Sequence, residues 1–324
     1  MRRLLPGLGL LLVLAAAGCG GDGAGGAGGS TSVAEPATSS SEEAASRTVR
    51  VGLVPVGVAY GAGSVWVASY QESRVYRIDP DSLDVVAKIR VGKGPLGLTF
   101  GDGSVWSANF DAGTVSRIDP GSNRVVGTLP AGDGSEGIAF GEGSVWTVNK
   151  RALGGSATRL DPSAGKPLAR LAVGPEPRFV TTGLGSAWAT SYNGGSLVRI
   201  DPRTNTIAAT IPVGYGPQGV AVAGGKVWVG NFVDGNVVAV DPGSGKVVTK
   251  IQLEEGAPEQ LVADGDVVWV VNSDANRLER LDTATGKITA TYPVGQHPRE
   301  AAVGDGAVWV PSQDDGVLTR VDTG

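Results

Sequence analysis

Along most of the chain, apolar and polar residues alternate in runs of four to six positions, broken by glycine, Asn and Asp-Pro. Gly97 to Phe100 alternates as a short strand A, and Gly101-Asp102-Gly103 follows as a hairpin turn, since glycine supplies the positive φ such turns need. Ser104 to Ala108 reads as strand B, Asn109 to Gly113 as a loop and Thr114 to Ile118 as strand C. Asp119-Pro120 opens a β-turn with proline at its favoured second position, and Arg124 to Leu129 reads as strand D. Helix-period patterns are missing beyond the first twenty residues.

The same four-strand pattern recurs. Trp66, Trp106, Trp146, Trp188, Trp228, Trp269 and Trp309 hold one place in the unit, at separations of 40, 40, 42, 40, 41 and 40. A period near 40 with four short strands is the signature of a β-propeller blade. The last unit, Pro298 to Asp322, has strands A, B and C but no D, whereas the folded region opens with Thr48 to Gly52, which reads as a lone strand D. The chain is therefore expected to be all-β: a seven-bladed propeller over residues 47–324, with four antiparallel strands per blade. The N-terminal strand would complete the last blade and remove an exposed sheet edge.

The first forty-six residues follow other rules. Arg2 and Arg3 precede an apolar run from Leu4 to Ala17, short of the roughly 20 residues that span a bilayer, so it reads as a secretory signal. Ala15-Ala16-Ala17-Gly18 ends at Cys19, the sole cysteine, and resembles a bacterial lipoprotein signal. Residues 1–18 are thus expected to be the signal peptide and Cys19 the lipidated residue. The Gly/Ser/Ala-rich stretch 19–46 has nothing to bury and reads as a disordered tether with a mean span of roughly 30 Å. The expected location is outside the cytoplasm, held to the membrane through the lipid anchor, as a monomer. A formal net charge of −5 is a poor footprint for nucleic acid, so none is expected as a partner. One Cys and one His, His297, rule out an internal disulfide and a multi-His or Cys/His zinc site from a single chain.

Val227-Trp228-Val229-Gly230-Asn231, then Asn236 to Pro242, then Lys246-Val247-Val248 resemble the YVTN-type repeat of YncE-like propellers. Ile211-Pro212-Val213-Gly214-Tyr215-Gly216-Pro217-Gln218-Gly219-Val220 matches that repeat's "V-G-x-x-P-x-G" portion, and the resemblance covers 48–324. The virginiamycin B (streptogramin) lyases are similar seven-bladed propellers that use His and Glu with a magnesium ion near the channel to break an ester by elimination. Their inner-strand units often carry His after the proline. The matching positions here are Val56, Leu96, Glu136, Arg178, Gln218, Glu259 and Arg299, and His297 stands before its proline instead. No catalytic residues are therefore assigned. The leading expectation is a non-catalytic ligand- or protein-binding scaffold with a protein or cell-envelope partner. The alternative is a metal-assisted lyase or lactone hydrolase.

In a propeller, the D-to-A and B-to-C loops open on one face around the channel. On that face Glu136, Arg178, Gln218, Glu259 and Arg299 break the repeat on consecutive blades. Opposite charges invite pairing of Glu136 with Arg178 and of Glu259 with Arg299. The ring reads either as a self-neutralising channel mouth or as a pocket for a polar or zwitterionic ligand. Tyr70, Phe110, Tyr192 and Phe232, in the loops after strand B, add an aromatic rim of the kind that binds sugars, peptides or bases. No cofactor is expected. A Mg or Ca ion shared by Glu136 and Glu259 is the weaker alternative, because two carboxylates are a thin ligand set. The third blade carries a longer loop, Lys150 to Ser156. The Asp-Pro pairs are assigned to turns, the Trp residues to packing between blades, and the recurrent Arg at 77, 117, 159, 199, 280 and 320 to bracketing neighbouring strands.

Overall fold

The computed structural model describes residues 46–323, so the signal sequence, Cys19 and most of the tether lie outside the described residues. Within them, seven four-stranded antiparallel sheets follow one another. In blade 2, strand A is Pro95–Gly101, B is Ser104–Asn109, C is Thr114–Asp119 and D is Arg124–Pro130. The strand B positions are buried throughout, whereas strand D alternates exposed residues with half-buried ones and buries only Leu129. The sheets therefore grade from a closed interior to a wet rim, as the Val-Trp-rich B strands and Lys/Arg/Thr-rich D strands dictate. Strand A of each blade packs beside strand A of the next around a central channel, and that of blade 7 beside that of blade 1.

Ring closure follows the split seen in the sequence. Ser46–Arg50 pairs antiparallel with Val317–Asp322, with Ser46 opposite Val321 and Arg50 opposite Val317. The strand begins at Ser46, one residue ahead of the expected boundary, and is the outer strand of blade 7.

Two repeated contacts hold neighbouring blades together. The inner strands approach so closely that a Cβ added at Gly57 would sit 1.9 Å from the Leu96 carbonyl oxygen, and one at Gly137 would sit 2.5 Å from that of Arg178. The second contact is an arginine clamp. The Arg117 guanidinium lies 5.1 Å from the Trp106 ring centroid. It also donates to Ser104 Oγ at 2.8 Å and to the Pro162 carbonyl of the next blade at 2.9 Å. Arg77, Arg159, Arg199 and Arg320 likewise stack on their own Trp and donate to Pro120, Pro202, Pro242 and Pro80. The bracketing expectation fails at Arg280, which donates instead to Thr289 of its own blade. Blade 7 is closed by Ser46–Arg50, so no Asp-Pro turn joins its strands C and D, and Arg280 has nothing to clamp.

Strand A of blade 7 is cut to Ala302–Gly304. Beside the missing part, strand B holds Pro311, which has no N–H to give a ladder. Residues 299–301 are released from regular pairing just where they face the channel.

Candidate functional site

The site is built on the face shared by the D-to-A and B-to-C loops. There Val54, Val56, Tyr70, Leu96 and Phe110 from blades 1 and 2 meet Glu136, Lys150, Arg178, Arg299 and Gln313 around a cavity of about 300 Å³. The cavity is divided by origin: one wall is apolar, and the other carries the charges. Beneath it runs the channel proper, about 410 Å³, lined by the seven A strands and holding Gln260 and Glu300.

Both ion pairs invited by the alternating signs are present. Arg178 Nη1 stands 3.2 Å from Glu136 Oε1, and Arg299 Nε stands 2.9 Å from Glu259 Oε1. The second contact is charge proximity without a well-directed hydrogen bond. Arg299 Nη2 also comes within 4.0 Å of Glu136 Oε1, so this carboxylate lies between two guanidiniums. Burial raises the Glu259 carboxyl above the usual carboxylate range, although Arg299 and Arg178 pull it down. Glu259 and Gln218 are nearly fully buried and stand behind the cavity wall rather than on it.

The aromatic rim divides. Tyr70 and Phe110 line the cavity, and the Tyr70 hydroxyl donates to Asp111 Oδ2 at 3.0 Å. Tyr192 and Phe232 do not join them. Tyr192 lines a separate cleft of about 480 Å³ with Tyr215 and Val233, and the two rings lie 6.4 Å apart. The even spacing of the repeat gives every blade its own sector, and the Tyr192 ring of blade 4 turns into the cleft beside its own loop rather than toward the cavity. Arg178 bridges the regions, its guanidinium 4.9 Å from the Tyr192 ring centroid.

Several site residues escaped the sequence reading. Glu176 holds Lys150 Nζ at 3.0 Å and Arg178 Nη2 at 3.2 Å. Burial raises its carboxyl, but Lys150 and Arg178 outweigh burial and leave it below the ordinary value. The longer blade 3 loop sets Lys150 on the cavity wall, and its Arg151 covers the Phe110 ring at 4.3 Å and pairs with Asp111 at 3.3 Å. Glu300 is buried in the channel, and burial pushes its carboxyl from 4.5 up to about 8 despite a hydrogen bond from the Val58 N–H. Position marks some of these residues. Val54, Glu176 and His297 sit directly before the strand A proline with φ of 54°, 54° and 53°, where Gly94, Gly134 and Gly216 stand in other blades. Side chains held in that region are a flag for function, most of all a β-branched one.

A divalent ion does not fit these donors. The carboxylates weighed for it, Glu136 and Glu259, are each engaged by a guanidinium, and among the described residues no group of three or more His, Cys, Asp or Glu converges on one point. His297, the sole histidine, lines a different recess with Ser273, Asp274, Asn276 and Gln296. Its Nδ1 lies 2.7 Å from Asp314 Oδ2.

No family model matches the chain, and no curated protein matches it. Solved structures do. Hydrazine synthase of Kuenenia stuttgartiensis superposes with a TM-score of 0.77 at 14% identity, covering 85% of this chain and 97% of that one. Virginiamycin B lyase of Staphylococcus aureus superposes with a TM-score of 0.73 at 19% identity, covering 86% and 99%. A catalytically inactive His-to-Ala variant of that lyase, solved with quinupristin, gives 0.73 at 18% identity, covering 86% and 99%. At these identities the likeness is one of fold: the chain is a seven-bladed β-propeller similar in architecture to these enzymes.

Proposed function

We propose that the protein is a non-catalytic binding module, held outside the cytoplasm by a lipidated Cys19, that captures a ligand or the end group of a cell-envelope partner at the channel mouth. The observation that carries this reading is the cavity itself. An apolar wall of Val54, Val56 and Leu96 faces a wall of charges whose geometry is fixed by partners. Sites with apolar surface and a few well-placed polar groups are the usual form of small-molecule pockets. Leu96 is half-buried on that wall, so Leu96→Asp is expected to spoil binding while leaving thermal unfolding near that of the wild type. A thermal-shift screen of the full chain against envelope sugars and peptides, run with this variant, tests it. Ligands that stabilise both proteins equally would remove the cavity from the account. The anchor is tested separately: Cys19→Ser should move the protein from the membrane fraction to the soluble fraction.

One observation favours a second reading. The His297–Asp314 pair orients an imidazole as a general base requires, on a fold shared with an ester-cleaving lyase. If that reading holds, incubation with quinupristin, with or without added magnesium, would open the ring of the depsipeptide, and His297→Ala would abolish the opening. Intact quinupristin after prolonged incubation would dispose of it.

A further inference from the structure

The ligand class follows from which charges face the cavity and which stand behind it. Lys150, Arg178 and Arg299 are on the wall, and of the carboxylates in the network only Glu136 is. Glu176 and Glu259, the partners that hold these cations in place, lie outside the lining. Glu136 engages Arg178 at 3.2 Å and lies 4.0 Å from Arg299, both through Oε1, while its Oε2 and the Arg178 Nε have no hydrogen-bond partner. The cavity therefore presents more positive than negative charge in spite of a neutral-looking sequence pattern. Both guanidiniums are pre-set by their partners, which lowers the entropy lost when a further oxygen is bound. Opposite them the wall is Val54, Val56 and Leu96, too apolar to solvate a second charge.

We propose that this cavity takes a small amphipathic organic anion: a carboxylate held between Lys150, Arg178 and Arg299, on an apolar body lying against Val54, Val56 and Leu96. The proposal rests on the binding-module reading and narrows it to one class. Guanidinium and ammonium donors to a carboxylate form the stronger, charge-assisted kind of hydrogen bond.

Three probes with one apolar body and different heads test this on the full chain by calorimetric titration: 3-phenylpropionate, 3-phenylpropanol and 3-phenylpropylamine. The acid is expected to bind at least about tenfold more tightly than either of the others, the factor expected when charge-assisted contacts are lost. Its binding should weaken as salt rises. Lys150→Gln, at a half-buried and loop-borne position, should weaken the acid about tenfold and leave the alcohol unchanged. Arg299→Gln should do the same, and Lys150→Gln serves if the loss of Arg299 beside Glu259 unfolds the blade. An amine that binds as well as the acid, or an acid insensitive to both substitutions, overturns the anion assignment while leaving the cavity a binding site. Failure of all three probes to bind overturns both.

Discussion

Glu300 shows how one side chain ties ring closure to pH. Its carboxyl accepts the Val58 N–H across the blade 7–blade 1 boundary, as Gln260 Oε1 accepts the Ala301 N–H one boundary earlier. Folded, Glu300 titrates near 8; unfolded, near its ordinary 4.5. As pH rises the unfolded chain therefore loses this proton first, and stability falls wherever the folded state holds more protons. The pH-dependent cost of burying Glu300 is absent below about pH 4.5, grows up to about pH 8 and is constant above that. Glu300→Gln keeps the acceptor and removes the titration. Its melting temperature relative to wild type should be near equal at pH 4, rise through neutrality and level off above pH 8; a pH-independent difference would sink the assignment. The arginine clamp makes a second residue-scale prediction. Arg117→Ala loses the Trp106 stack and the hydrogen bond to the Pro162 carbonyl, together about 1–3 kcal/mol. At roughly 2 °C or slightly less per kcal/mol for a domain of this size, thermal unfolding resolves it.

At the scale of strands and loops, the repeat made some features legible and hid others. The Trp spacing and the split terminal unit disclosed the blades, because each blade buries the same face against the next and must repeat the same side chains. Glu136, Arg178, Glu259 and Arg299 were legible because they interrupt that repetition with charge, and alternating signs on adjacent sectors have little choice but to meet. Glu176 was not: it lies in a loop where the other blades carry Gly, Val, Ala or His, so it looked like loop variation rather than the counter-ion of Lys150 and Arg178. Glu300 was hidden because it sits one position beyond the ring of charges, where the same strand turns from mouth to channel. The split between the Tyr70/Phe110 and Tyr192/Phe232 pairs depends on which way each side chain turns, which an aligned repeat does not record. The close inner-strand approach belongs here as well. Gly57→Ala would force a Cβ to within 1.9 Å of the Leu96 carbonyl oxygen, so blades 1 and 2 must separate. A fall in melting temperature well beyond that of Arg117→Ala is expected, with Leu96 displaced from the cavity wall.

For the molecule as a whole, the five residues of Ser46–Arg50 remove the free edge that blade 7 would otherwise present. A chain starting at residue 52 would expose the strand Val317–Asp322, whose unpaired backbone is a template for other strands. It should unfold at lower temperature and self-associate on size-exclusion chromatography; a monomer as stable as the full chain would show that closure is dispensable.

Closure also has an order in time. The strand that shuts the ring is the first of the described strands to be synthesised, and its partner, Val317–Asp322, is the last. It must wait, unmatched, while six complete blades and most of a seventh assemble around it. Pairings between such distant segments are slow to form. Completion of the ring therefore waits on its most distant pairing, which joins the first described strand to the last.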